Sequence, residues 1–213
     1  PCNLNNINYI SPILIDNRIS LKIFSGISQN NPPDVMRGEE TQVAGFLTDN
    51  NNFNGSICLP GTHSKWIKIN KNSLEKFQTF MTGELFEIIS KNSVLSHSVK
   101  SDNLDKAEIL NSANKIMNKP EVFANALFQL RADDLINSKG AIIYRSRLSG
   151  YLLAMELLGS VEFWKNNDII LIGNINLMDL YEHVLINKVS SIQKFTSEEM
   201  MLKGLQHFKD KLL

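Results

Sequence analysis

Apolar and polar positions along the chain follow two rhythms. From Ser56 the spacing is that of short strands. Ser56–Leu59 is an apolar run, and Trp66–Ile69 alternates, with Trp66 and Lys68 on one face and Ile67 and Ile69 on the other. Phe77–Phe80 predicts a third strand, with turns at Pro60–Lys65 and Asn70–Ser73 between the three, so neighbouring strands run antiparallel. The period then lengthens to that of helices. Glu84–Lys91 carries Leu85, Phe86, Ile88 and Ile89, and Leu104–Met117 carries Leu104, Ala107, Leu110 and Ala113. Pro120 suits the first turn of a further helix carrying Phe123, Ala126, Leu127 and Leu130, which Lys139-Gly140 ends. Ala141–Leu158 is long and apolar. Asp168–Ile172 reads as a buried strand, Leu177–Leu185 as a helix and Val189–Phe195 as a strand. Thr196-Ser197-Glu198-Glu199 is a capping box that opens a final helix lined by Met200, Met201, Leu205, Phe208 and Leu212. Ahead of this, residues 1–35 read as irregular apart from a strand at Leu21–Phe24, with Asn31-Pro32-Pro33-Asp34 as a breaker. Residues 37–47 predict a short helix with Val43, Ala44, Phe46 and Leu47 as its apolar face, and Asn50–Gly55 is a polar turn.

From residue 56 the order is therefore strand, strand, strand, helices, strand, helix, strand, helix. A β-meander followed by alternating helices and strands implies an α/β protein with a mixed sheet. It is the order of one half of the actin-like, ribonuclease-H-like ATPase fold, β-β-β-α-β-α-β-α with a helical insertion. The length of 213 residues allows one large domain or two small ones. Lys plus Arg and Asp plus Glu are 22 each, so the net charge is zero. That removes a broad basic surface for nucleic acid or an anionic membrane, while leaving room for a local anion site. The two cysteines, Cys2 and Cys58, exclude a disulfide framework and a four-cysteine zinc site. They fit a reducing, cytoplasmic setting. No apolar run reaches the roughly 18–20 residues of a membrane-spanning helix.

Four segments carry candidate chemistry. In Leu59-Pro60-Gly61-Thr62-His63-Ser64-Lys65-Trp66, glycine allows close backbone approach and successive amides of a tight turn form an anion nest. Thr62 and Ser64 add hydroxyl donors and Lys65 a positive charge, the combination that phosphate needs. An ordinary hairpin accounts for the glycine and serine equally well. In Met36-Arg37-Gly38-Glu39-Glu40-Thr41-Gln42 two adjacent carboxylates follow an arginine. Neighbours on a helix diverge by about 100°, so only one of Glu39 and Glu40 can face a given site as a general base. Acidic residues also favour a helix start for electrostatic reasons alone. Thr82 and Gly83 are an N-cap and a packing glycine at the junction from third strand to helix. Gly173 ends a buried strand, where open α/β sheets bind ligands, and offers access for a nucleotide base or ribose.

Together these segments resemble the 2-dehydro-3-deoxygalactonokinase family. The matching stretches are Asp34–Gln42, Leu59–Trp66, Thr79–Phe86, Leu148-Ser149-Gly150 with Glu156, and Leu171-Ile172-Gly173 with Leu177 and Tyr181, in the family's order; Leu202–Leu205 resembles its last helix. The resemblance implies ATP-dependent phosphorylation, with Mg²⁺, of the 6-hydroxyl of 2-dehydro-3-deoxy-D-galactonate in galactonate breakdown. Carried onto this chain, Gly61, Thr62, His63, Ser64 and Lys65 form a phosphate-binding turn and Gly173 lies by the adenosine. Arg37, Glu39 and Glu40 line the cleft between two domains, with Glu39 preferred as base and Arg37 holding the substrate carboxylate. Such kinases open with an Asp-x-Gly-(Ser/Thr) turn whose aspartate anchors Mg²⁺. No such segment occurs in these residues, and no metal ligand is assigned. Residue 1 is proline rather than methionine. The expectation is therefore that 1–45 is the end of a first kinase domain, that 46–213 is the second, and that this chain alone turns over little or nothing. A non-catalytic nucleotide- or sugar-binding module of the same fold is the alternative. The expected partner is a small sugar acid, with the helical stretch at 101–140 available for a homo-oligomer.

Overall fold

Asp168–Gly173 is apolar from Ile169 to Ile172 because both faces of this strand are covered. Ile169 and Leu171 enter one hydrophobic cluster, while Ile170 and Ile172 enter a second on the opposite face. The same division runs through the neighbouring strands: Cys58 and Trp66 belong to the first cluster, Ile57, Leu59, Ile67 and Ile69 to the second. The computed structural model, which describes residues 2–4, 8–14, 16 and 18–210, is thus a three-layer arrangement around one mixed sheet. Pro1, Asn17 and Leu212 lie outside the described residues.

The sheet's main strands are β6 (Gly55–Leu59), β7 (Ser64–Asn70), β8 (Ser73–Phe80), β9 (Asp168–Gly173) and β10 (Ser191–Thr196). With the short β1 (Cys2–Asn3) at one edge, the order is β1-β8-β7-β6-β9-β10. β6, β7 and β8 pair antiparallel, whereas β9 pairs parallel with both β6 and β10. One face carries α1 (Glu39–Asp49) and α8 (Ser197–Asp210). The other carries α2 (Thr82–Asn92), α3 (Lys106–Asn118), α4 (Phe123–Asn137), α5 (Ala141–Gly159), the single turn α6 (Val161–Trp164) and α7 (Ile175–Leu185). Among the described residues, no helix is long and apolar enough to cross a membrane.

The main departures from the predicted elements lie ahead of residue 56. The segment read as irregular contains a hairpin, β4 (Ile27–Asn30) with β5 (Pro33–Met36), and the Asn31-Pro32 breaker is its turn. Its strands lack apolar alternation because side-chain bonds anchor them. Gln29 Oε1 accepts from the Phe77 amide at 3.1 Å, and Asp34 accepts from the Thr79 amide and hydroxyl at 2.7 Å each. The strand expected at Leu21–Phe24 shrinks to β3 (Ile23–Phe24), paired with β2 (Tyr9–Ile10). β8 starts four residues earlier than predicted, because Glu75 is an extra residue in it: the consecutive Lys68 and Ile69 of β7 pair with Lys76 and Leu74, which puts the buried Leu74 and Phe77 three residues apart and breaks the two-residue period. Position 45, the expected domain boundary, lies inside α1.

Candidate functional site

The three parallel strands end at one edge of the sheet, and the residues just beyond each of them face the same cavity. β6 runs into Pro60 and Gly61, β9 into Asn174, β10 into Ser197, and all four residues line a cavity of about 550 Å³. Binding at the carboxyl ends of strands is the general rule for open α/β sheets. The cavity walls are mostly apolar, with Phe86 and Leu152 among them, and Arg145 and Asp102 supply charge. The Arg145 guanidinium lies 4.8 Å from the centre of the Phe86 ring. Asn174, which caps α7 by accepting from the Asn176 amide at 3.0 Å, lines the cavity. Gly173 sits one residue behind it, and a Cβ there would meet only ordinary contacts, Pro60 O at 3.5 Å being the nearest.

The turn after β6 is held tightly from one side. The Glu84 amide donates to Thr62 O at 3.0 Å, and a Cβ on Gly83 would lie 2.5 Å from Gly61 O. Gly83 is thus a packing glycine, as the sequence indicated. Thr82 is not the N-cap: Met81 holds that position, and the Thr82 hydroxyl donates instead to Glu156. Gly83→Ala is expected to push the turn and α2 apart and to weaken any phosphate binding at the turn by tenfold or more, measured by titration calorimetry. The amides of Thr62 and His63 make no hydrogen bond among the described residues, so they are free to receive an anion. His63 pairs at the surface with Glu84, 2.6 Å apart.

Ser64 and Lys65 belong to β7 rather than to the turn, and both are buried. The Lys65 ammonium donates to His63 O at 2.9 Å and lies 3.1 Å from Glu39 Oε1. The structure therefore joins the two predicted segments directly. The adjacent carboxylates diverge as helix geometry requires. Glu39 faces outward, its Oε2 accepting from the Arg37 amide at 3.0 Å. Glu40 is 1% exposed and turned inward, accepting from the Gly38 amide at 2.6 Å. Burial raises the Glu40 carboxyl above its ordinary value. Arg37, Glu39, His63 and Lys65 line a second cavity of about 550 Å³ beside the β4–β5 hairpin. A third, of about 300 Å³, lies between the two. It shares Pro60, Gly61, Thr62 and Ser197 with the first and Glu39 and His63 with the second. The three cavities thus adjoin, with turn residues in the lining of each.

Behind the turn lies a buried carboxylate that had appeared in the sequence only as part of a matching stretch. Glu156 on α5 is 2% exposed. It accepts from the Trp66 indole N–H at 2.8 Å, from the Tyr181 hydroxyl at 2.9 Å and from the Thr82 hydroxyl. The Tyr181 oxygen in turn lies 2.9 Å from Ser64 Oγ. Burial raises the Glu156 carboxyl, and burial with the nearby Glu156 pushes the Tyr181 hydroxyl well up, so the tyrosine stays a neutral donor. The available signal was a lone carboxylate on the otherwise apolar face of Ala141–Leu158.

The mostly apolar cavity and the smaller one beside it share the turn residues Gly61 and Thr62. Among the described residues no group of three or more His, Cys, Asp or Glu is arranged to hold a metal ion.

A mixed sheet with helices on both faces and a ligand cleft at its carboxyl edge places the chain among α/β proteins whose solved representatives include a kinase. A crystal structure from Sinorhizobium meliloti described as a 2-dehydro-3-deoxygalactonokinase superposes with a TM-score of 0.92 at 31% identity, over 100% of this chain and 72% of that one. The sequence profile of the 2-keto-3-deoxy-galactonokinase family matches residues 1–208, and the chain belongs to that family. It is 34% identical to DgoK1 of Rhizobium meliloti (strain 1021), described as a 2-dehydro-3-deoxygalactonokinase, over 191 residues, 87% of this chain and 62% of that protein. It is 27% identical to the 2-dehydro-3-deoxygalactonokinase of Escherichia coli (strain K12) over 133 residues, 62% of this chain and 44% of that one. The chain thus spans less than two thirds of the length of these curated relatives.

Proposed function

We propose that the chain contributes the second, actin-like domain of a cytoplasmic sugar-acid kinase that transfers phosphate from ATP to the 6-hydroxyl of 2-dehydro-3-deoxy-D-galactonate. The observation that carries this reading is that the three cavities adjoin, with the turn at 60–63, Glu39 and Arg37 in their lining. The nucleoside would occupy the apolar compartment, with its phosphates over the free amides of Thr62 and His63, and the sugar acid would lie beside the hairpin. Arg37, exposed at that rim, would hold its carboxylate through two parallel hydrogen bonds. Lys65 keeps Glu39 at the cleft, 3.1 Å away.

Phosphoryl transfer is mostly positioning and charge neutralisation. The O6 lone pair forms a bond to the γ-phosphorus as the bond to the β–γ bridging oxygen breaks. ADP leaves with that electron pair, and the hydroxyl proton passes to Glu39. Magnesium, when bound with the nucleotide, supplies charge neutralisation on its phosphates.

The test is incubation, with ATP and the acid, of the protein in which these residues are joined to the other kinase domain, with the product located by ³¹P and ¹³C NMR. Phosphate ester at carbon 6 is the supporting result, and phosphorylation at another hydroxyl would sink the assignment. Glu39→Gln is then expected to lower kcat by about 10²–10⁴-fold while ATP affinity changes little. A second reading, a nucleotide- or sugar-binding module, would show as ATP binding without turnover by that joined protein.

A further inference from the structure

Gln42 is the side chain whose chemistry the site leaves unexplained. It lies three residues after Glu39 on α1, hence on the same helix face, and lines the middle compartment with Gly61, Thr62 and His63. Its Oε1 is buried, and the carboxamide makes no hydrogen bond among the described residues. Buried polar side-chain atoms are as a rule partnered, so an orphan needs a reason. Four such atoms occur among the described residues, and two of them, on Gln42 and Arg145, belong to residues that line the cleft. Orphans at these positions are what a ligand site looks like before its ligand arrives.

We propose that Gln42 is a catalytic residue that contacts the transferred phosphoryl group of a nucleoside triphosphate. The inference rests on the reading of the cleft as a phosphotransfer site. The middle compartment joins the nucleotide side to the acceptor side, so the group in transit passes through it. The oxygen is the buried end of this carboxamide, so its NH₂ is the end left accessible on a residue that lines the compartment. Bonded to nothing else, that NH₂ is a donor for a phosphoryl oxygen. Such a donor is neutral, so it adds no charge beside the ion pair of Lys65 and Glu39.

The experiment compares wild type with Gln42→Leu, a replacement of similar size without polar atoms. The free proteins are melted first. A ligand-contact role predicts that the leucine variant melts at or above the wild-type temperature, since the orphan is gone. A structural role predicts that it melts several degrees lower, which overturns the proposal. Each protein is then melted with ADP and with the non-hydrolysable β,γ-imido analogue of ATP. Wild type is expected to be raised further by the triphosphate than by ADP, and Gln42→Leu to keep the ADP shift and lose the extra. A leucine variant that still separates the two nucleotides overturns the role of Gln42 and leaves the site reading intact. A wild type raised by neither nucleotide overturns the site reading and this proposal with it.

Discussion

Gly204→Ala is expected to destabilise the fold by about 3 kcal/mol, at the upper end of overpacking substitutions. For a chain of this length that is a fall in melting temperature of about 6–12 °C. A Cβ at Gly204 would stand 1.9 Å from Thr41 O, and one at Gly45 would stand 2.0 Å from Met200 O. α1 and α8 therefore touch backbone to backbone through one glycine on each. Because the obstacles are carbonyl oxygens, no rotamer change relieves them, and the helices must separate. Separation moves Glu39 and Gln42 on α1 relative to Ser197 at the start of α8, three residues that line the middle compartment. The same substitution is therefore expected to weaken nucleotide binding as well. Gly61→Ala is the control: a Cβ there meets nothing within 4 Å, so stability should hold within about 0.5 kcal/mol. Thermal melts followed by circular dichroism decide the matter. A Gly204→Ala protein that melts within about 2 °C of wild type would show that the helices yield at no cost.

How much of this was legible beforehand depends on which force places each element. Burial on both faces writes itself into the sequence as an unbroken apolar run, and Asp168–Ile172 was readable for that reason. Burial on opposite faces writes alternation, and Trp66 and Ile67 do enter opposite clusters as their spacing implied. The β4–β5 hairpin carries neither pattern, since Gln29 and Asp34 fasten it to β8 by polar bonds. Polar bonds between residues 45 apart leave no periodic trace. The site divides in the same way. That Glu39 and Glu40 cannot face one place came from helix geometry, and the structure supplies which of them turns inward. That Lys65 meets Glu39 depends on β7 beginning at Ser64, a boundary two residues from the one that alternation indicated. Gln42 and Glu156 both lay within recognisable stretches. What marks them out, an absent partner in one case and three converging donors in the other, exists only in three dimensions.

Glu156→Leu is expected to cost about 1–3 kcal/mol, the range for leaving a buried hydrogen-bond donor without its acceptor. The partners lose unequally. Thr82 is half-buried and can reach water, and the Tyr181 hydroxyl can turn toward Ser64, but the indole N–H of the fully buried Trp66 has no other acceptor among the described residues. Glu156→Gln keeps an oxygen for Trp66 and offers an NH₂ to the Thr82 oxygen, so its cost is small. The pair of variants then separates hydrogen bonding from charge through pH. Burial raises the Glu156 carboxyl in the folded protein. As pH climbs from the ordinary carboxyl value through the raised one, the folded state holds a proton that the unfolded chain has already released. Each step in that window therefore lowers stability, and the loss is complete above it. Glutamine carries no such proton. The stability of Glu156→Gln relative to wild type should rise from acid toward neutral pH, while the raised carboxyl of Glu40 acts alike in both proteins and cancels. Urea unfolding of both at a series of pH values measures it. A difference that stays flat across the series would mean that Glu156 is held as readily charged in the fold as in water. A leucine variant as stable as wild type would mean that Trp66 has found another acceptor.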